Sequence, residues 1–150
     1  MSVEEAPPPY EILEHTADIG LRARGRSLEG LFENAAWGLA EILDVGRPRQ
    51  SIGTAAVDST RPQRIMLGPA DVEALLVDWT NELILFTEEG RACIVGLEVE
   101  SVSERGLEAR VDLVECDPFP EGTELKAATY HQLSVRPAED GWQATVFFDV

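Results

Sequence analysis

Lysine is almost missing from this chain. Of 150 residues only Lys126 is a lysine, and arginine supplies the rest of the 12 basic side chains. Positive charge of any kind is scarce against 28 acidic residues, which set the net charge at -16. That balance argues against independent nucleic-acid binding, which depends on neutralising phosphates with Lys and Arg. It argues equally against docking on an anionic membrane surface. No apolar run approaches the roughly 18 residues that a spanning helix needs. Cysteine is limited to Cys93 and Cys116, without metal-like spacing, so a reduced, cytoplasmic protein with two small core thiols is expected. The N-terminal stretch is acidic and proline-rich, whereas a secretory signal starts basic and continues apolar. Also missing are a glycine-rich phosphate loop, a Gly-x-Ser-x-Gly elbow and a paired cysteine motif.

Apolar residues make up 44% of the chain, enough for a core, and the length suits one domain over residues 10–150 behind a flexible tail of residues 1–9. Tyr10 to Leu13 and Ile19 to Gly25 read as strands, the second alternating Ile19, Leu21 and Ala23 with Arg22 and Arg24. Ser27 caps a helix over 28–43 whose stripe runs Leu28, Leu31, Phe32, Ala35, Leu39. Residues 51–67 look extended, interrupted at Arg61-Pro62. Pro69 fits the first turn of a second helix over 70–87, with Val72, Leu75, Leu76, Trp79, Leu83 and Phe86 on one side and Gly90 as left-handed terminator. Beyond Gly90 the period changes to two. Strands are expected near 92–102, 107–116, 124–136 and 142–149, with hairpin turns at Arg105-Gly106 and Asp140-Gly141. The order predicts an α+β fold, two helices packed on a mainly antiparallel sheet.

Three segments carry polar residues that such a scaffold does not need. In His15-Thr16-Ala17-Asp18-Ile19-Gly20, Asp18 suits a hard-metal ligand and His15 an acid–base or orienting group; an Asx-type turn with a satisfied histidine explains the same letters. In Lys126-Ala127-Ala128-Thr129-Tyr130-His131, strand alternation puts Lys126 and Tyr130 on one face and His131 on the other. The single lysine of an arginine-using chain points to a place that needs an ammonium, unless codon bias alone left it there. At the C-terminus, Asp149 and the carboxylate of Val150 put two anionic groups within one residue, which repel unless a cation or donors compensate. With Asp18 beside them they make an oxygen set for Ca²⁺ or Mg²⁺, not zinc; a frayed, solvated end is the competing reading. Asp78 and Glu82, i and i+4 on the second helix, fit a solvated face.

These three segments, with Leu75-Leu76-Val77-Asp78-Trp79-Thr80-Asn81-Glu82-Leu83, resemble the archease family over residues 10–150. Thr80 stands where that family more often has leucine. The resemblance implies an α+β domain built on a strand-helix-strand-strand module with an insertion. It implies a non-catalytic accessory protein of an RtcB-type RNA ligase, promoting guanylylation and repeated turnover of the ligase in tRNA splicing or RNA repair. It further implies a divalent cation, Ca²⁺ first and Mg²⁺ or Mn²⁺ after it, on Asp18, Asp149 and Val150. Lys126 matches the lysine tied to activation, and His15, Tyr130 and His131 belong to the motifs. Two other readings of the residues remain: a scaffold or chaperone for a tRNA-modifying enzyme, and a small metal-dependent phosphoesterase using Asp18 and Asp149, for which no nucleophile or dedicated base stands out. The oligomeric state is not encoded in any of these patterns.

Overall fold

The computed structural model describes residues 7–14 and 17–150. Among them the elements run β1 (Tyr10–Glu14), β2 (Asp18–Gly25), α1 (Leu28–Leu43), α2 (Thr54–Asp58), β3 (Arg61–Leu67), α3 (Val72–Gly90), β4 (Ala92–Ser103), β5 (Gly106–Glu115), β6 (Ala127–Ala138) and β7 (Gly141–Asp149). The fold is α+β, with helices on antiparallel sheets. The sheet is divided in two: a four-stranded one in the order β1-β2-β7-β6 and a three-stranded one in the order β3-β5-β4. Both long helices bridge the pair, α1 touching β2 and β4, α3 touching β6 and β4. One apolar cluster joins the layers, with Leu21, Phe32, Leu75, Trp79, Ile94 and Phe148 all at 1% exposure or less.

Local chemistry explains the elements. The Ser27 side chain accepts from Gly30 N and starts α1 where capping preference places it. The start of α3 differs from expectation. Asp71, not the Pro69 region, is its cap, because the Asp71 carboxylate accepts from Ala74 N at 2.8 Å. The helix runs through Gly90, and Arg91 takes the left-handed cap with φ 46° in place of that glycine. Trp79 Nε1 donates to Phe32 O at 2.9 Å, tying α3 to α1 inside the core. Thr80 is fully buried, and its hydroxyl satisfies itself on the carbonyls of Leu76 and Val77, which makes the departure from leucine tolerable.

Residues 51–67 are not uniformly extended: a 3-10 turn at Arg49–Ser51 and α2 come before β3. Pro62 is carried inside β3, an edge strand, where one side of the backbone needs no ladder partner. Gly106 (φ 130°) and Gly141 (φ 143°) follow the two expected hairpin turns. The expected β6 start is shifted: the strand begins at Ala127, leaving Lys126 just outside it. Residues 1–6 of the expected tail lie outside the described residues, and Pro9 O accepts from Arg24 N at 2.9 Å.

The two cysteines correct the reading of separate reduced thiols. Cys93 and Cys116 are disulfide-bonded, their Cα atoms 5.9 Å apart. The register brings them there, since Cys93 lies opposite Val114 and Cys116 N donates to Arg91 O at the same end of the β4–β5 ladder. No helix among the described residues is long and apolar enough to cross a membrane.

Candidate functional site

Strand register assembles the polar segments. Asp18 pairs with Asp149 across β2 and β7, followed by Ile19 with Phe148 and Gly20 with Phe147. β6 adds Ala127 opposite Asp149 and Thr129 opposite Phe147. Opposed residues share a face and successive residues alternate. Ile19, Phe148 and Ala128 therefore turn towards the helices. Asp18, Gly20, Asp149, Phe147 and Thr129 lie together on the outer face.

On that outer face Phe147 is only 3% exposed. Gly20 makes room for it: a Cβ at Gly20 would stand 2.5 Å from the ring. The His131 ring covers it from the β6 side, centroids 6.2 Å apart and planes at 62°. A large aromatic is thus held flat beside the two aspartates. Asp18 is half-buried, Asp149 exposed and Val150 47% exposed. Neither aspartate side chain has a hydrogen-bond or ion-pair partner among the described residues.

Lys126 reaches this end through its backbone. Its N–H donates to Asp149 O at 2.9 Å, and its exposed ammonium has no ion pair among the described residues. The expected sharing of a face by Lys126 and Tyr130 does not follow from simple alternation. β6 carries a bulge between Thr129 and Ser134, residues 130–133 standing opposite Val146 alone, with Gln132 at φ 53°. The bulge swings Tyr130 to 65% exposure and returns His131 over Phe147. His15 and Thr16 lie outside the described residues.

A positioning residue escaped the sequence reading. Asn81 on α3 accepts from Ala128 N at 2.8 Å and pins the start of β6 beside Lys126 and Asp149. Its signal was available: an amide within an otherwise apolar helix face. Asp78, one turn away, is exposed, as expected of a solvated face.

Among the described residues, no group of three or more His, Cys, Asp or Glu side chains forms a metal site. What the sheet end offers is two aspartate carboxylates in register, Asp18 opposite Asp149. This donor set is all oxygen and, among the described residues, without an ion-pair partner, which fits a hard divalent cation and not a thiolate-seeking one.

The profile of the Archease protein family (MTH1598/TM1083) matches residues 10–150. A protein archease of Methanosarcina acetivorans is 36% identical over 149 residues, covering 94% of this chain and 95% of its own length. That of Saccharolobus islandicus is 32% identical over 145 residues, covering 94% and 98%. Among solved structures, Thermotoga maritima "archease, possible chaperone" superposes with a TM-score of 0.63 at 26% identity, covering 99% of this chain and 100% of that one. Protein 1598 of Methanobacterium thermoautotrophicum shares the fold with a TM-score of 0.65 at 24% identity, covering 95% and 99%.

Proposed function

The chain belongs to the archease family, and from that premise we propose that it is a cytoplasmic, non-catalytic accessory protein of an RtcB-type RNA ligase, promoting the ligase's guanylylation and turnover. The observation that carries the reading is the pair of unneutralised aspartates, Asp18 and Asp149, set in register at a sheet end beside Lys126. Asp18, Asp149 and the Val150 carboxylate would hold the divalent cation, Ca²⁺ first among candidates. A bound cation supplies positive charge able to neutralise phosphate oxygens. Lys126 adds a mobile ammonium for the same anions, and Phe147 under His131 gives the end a rigid floor. Tyr130, exposed on the bulge, would meet the partner's surface.

The acidic surface supports the same reading. A protein of net charge -16 meets a basic RNA-binding ligase with complementary charge, which speeds encounter, and does not compete for the RNA.

The test is a guanylylation time course of the cognate ligase with wild type, Asp18→Ala, Asp149→Ala and Lys126→Ala. Stimulation is expected to fall by about tenfold or more in each variant, the scale of losing a charged contact at a phosphate. Folded variants that stimulate fully would sink the site assignment. A second reading, a scaffold or chaperone for a tRNA-modifying enzyme, draws on the chaperone description attached to the Thermotoga relative. Partner binding that survives chelation and the Asp149→Ala change would favour it.

A further inference from the structure

The structure assigns a second recognition site: we infer that the cavity beneath the loop before β6 receives an arginine side chain from a basic partner protein. The cavity has a volume of about 370 Å³, at the small end of the roughly 300–1,000 Å³ typical of ligand pockets. It lies where α1 and α3 both end, bordered by residues 119–125.

Its floor is apolar. Val45, Ile84 and Leu125 are each at least nine-tenths buried, and Phe119 offers a half-buried ring at the side. Such a floor suits the aliphatic stem of a long side chain.

Its charge is negative from two independent sources. Glu88, Glu121 and Glu124 line it and are exposed, and their carboxylates have no hydrogen-bond or ion-pair partner among the described residues. Two helix C-termini also converge there, α1 at Leu43 and α3 past Glu88, and neither has a basic residue in its last turn. The C-terminal end of a helix carries partial negative charge and favours a cation. The lone internal cation is Arg91, whose guanidinium lies 5.0 Å from the Phe119 ring centroid. That contact demonstrates that a guanidinium is accommodated against this wall, and it leaves the lining two charges short of neutrality.

The location ties the cavity to the candidate site. Leu125 forms part of the floor, and the next residue, Lys126, is bonded through its N–H to Asp149 O. A partner anchored by an arginine in the cavity is thereby registered against the aspartate end of the sheet. That the anchoring chain is the RNA ligase rests on the reading above; that the cavity takes an arginine-type cation does not.

The experiment compares n-butylguanidine with its neutral isostere n-butylurea by amide chemical-shift titration of the full chain. Saturable shifts at Val45, Phe119 and Leu125 are expected for the guanidinium, with butylurea weaker by about tenfold. The double variant Glu88→Gln/Glu121→Gln, both surface positions, should weaken guanidinium binding about fivefold at unchanged thermal midpoint. Equal affinity for the two compounds, or no saturable shift at the cavity, overturns the cation site. The same double variant is then titrated with the cognate ligase. A loss of affinity supports the arginine anchor, and unchanged affinity in a wild type that binds the ligase removes the ligase as its source. If wild type does not bind the ligase, the ligase reading falls, while the butylguanidine comparison still decides the cavity.

Discussion

Asp112 on the three-stranded sheet and Asp149 on the four-stranded sheet are both aspartates on the outer face of a strand, in opposite circumstances. Asp112 is 4% exposed, and its two oxygens accept from Arg49 Nη2 at 2.8 Å and Arg110 Nε at 3.2 Å. Gly96 opposite it leaves the space, since a Cβ there would lie 3.0 Å from Oδ2. The neighbouring charges close in the same way: Arg64 reaches Glu100 and Glu108, and Arg110 reaches Glu98. Asp149 has Asp18 opposite it and forms no ion pair among the described residues. A chain short of positive charge spends three arginines on one sheet face and none on the aspartates of the other. The first face pairs its carboxylates within the chain; the two aspartates of the second have no such partner among the described residues.

Calcium should separate the two faces most strongly. At a calcium concentration 100 times its dissociation constant, wild type is expected to gain about 2.7 kcal/mol of stability, read as a rise in thermal midpoint. Asp149→Ala should show no rise, and Asp112→Ala should retain it. A wild-type midpoint indifferent to calcium, magnesium and manganese would break the comparison.

Without metal the order reverses. Asp112→Ala strands two guanidiniums and removes a buried acceptor. It is expected to cost about 2 kcal/mol in urea unfolding, discounted because both arginines are partly solvated. Asp149→Ala removes only like-charge repulsion, so a change within about 0.5 kcal/mol is expected. Equal losses would mean that Asp149 has a structural partner.

The smallest effect concerns the edge of the four-stranded sheet. Tyr10 donates its hydroxyl to Glu41 Oε1 at 2.9 Å, and burial, followed by the Glu41 carboxylate, raises its pKa above the ordinary value of 10.0. A raised pKa in an acid means that the folded state favours the protonated phenol. Its contribution is complete below pH 10 and fades as pH climbs through the raised value. Phenolate absorbance should include a late-titrating tyrosine that vanishes in Tyr10→Phe, with the candidate site unaffected.

Much of this was legible beforehand. Helix α1 runs over Leu28–Leu43 as its apolar stripe and the Ser27 cap indicate, and both hairpin turns fall at their glycines. The aspartates could be named because carboxylates serve no packing purpose at the ends of apolar strands. The misses share a cause. Pro69 and Gly90 are local signals for helix ends, and both were overridden by side chains that did more: Asp71 by capping Ala74, Arg91 by laying its guanidinium on Phe119. The Lys126–Tyr130 alternation failed because a bulge adds residues to one strand without altering its composition.

By itself the sequence determined the class of fold, the apolar faces and the family, because periodicity and motif order are written in the local succession of side chains. Tertiary structure alone decided the rest: the division into two sheets, the disulfide, Asn81 beside β6, and which carboxylates find an arginine. Each of these depends on distances between residues far apart in the chain, from Arg49 to Asp112 or from Asp18 to Asp149. Net charge counts such residues without saying which of them meet.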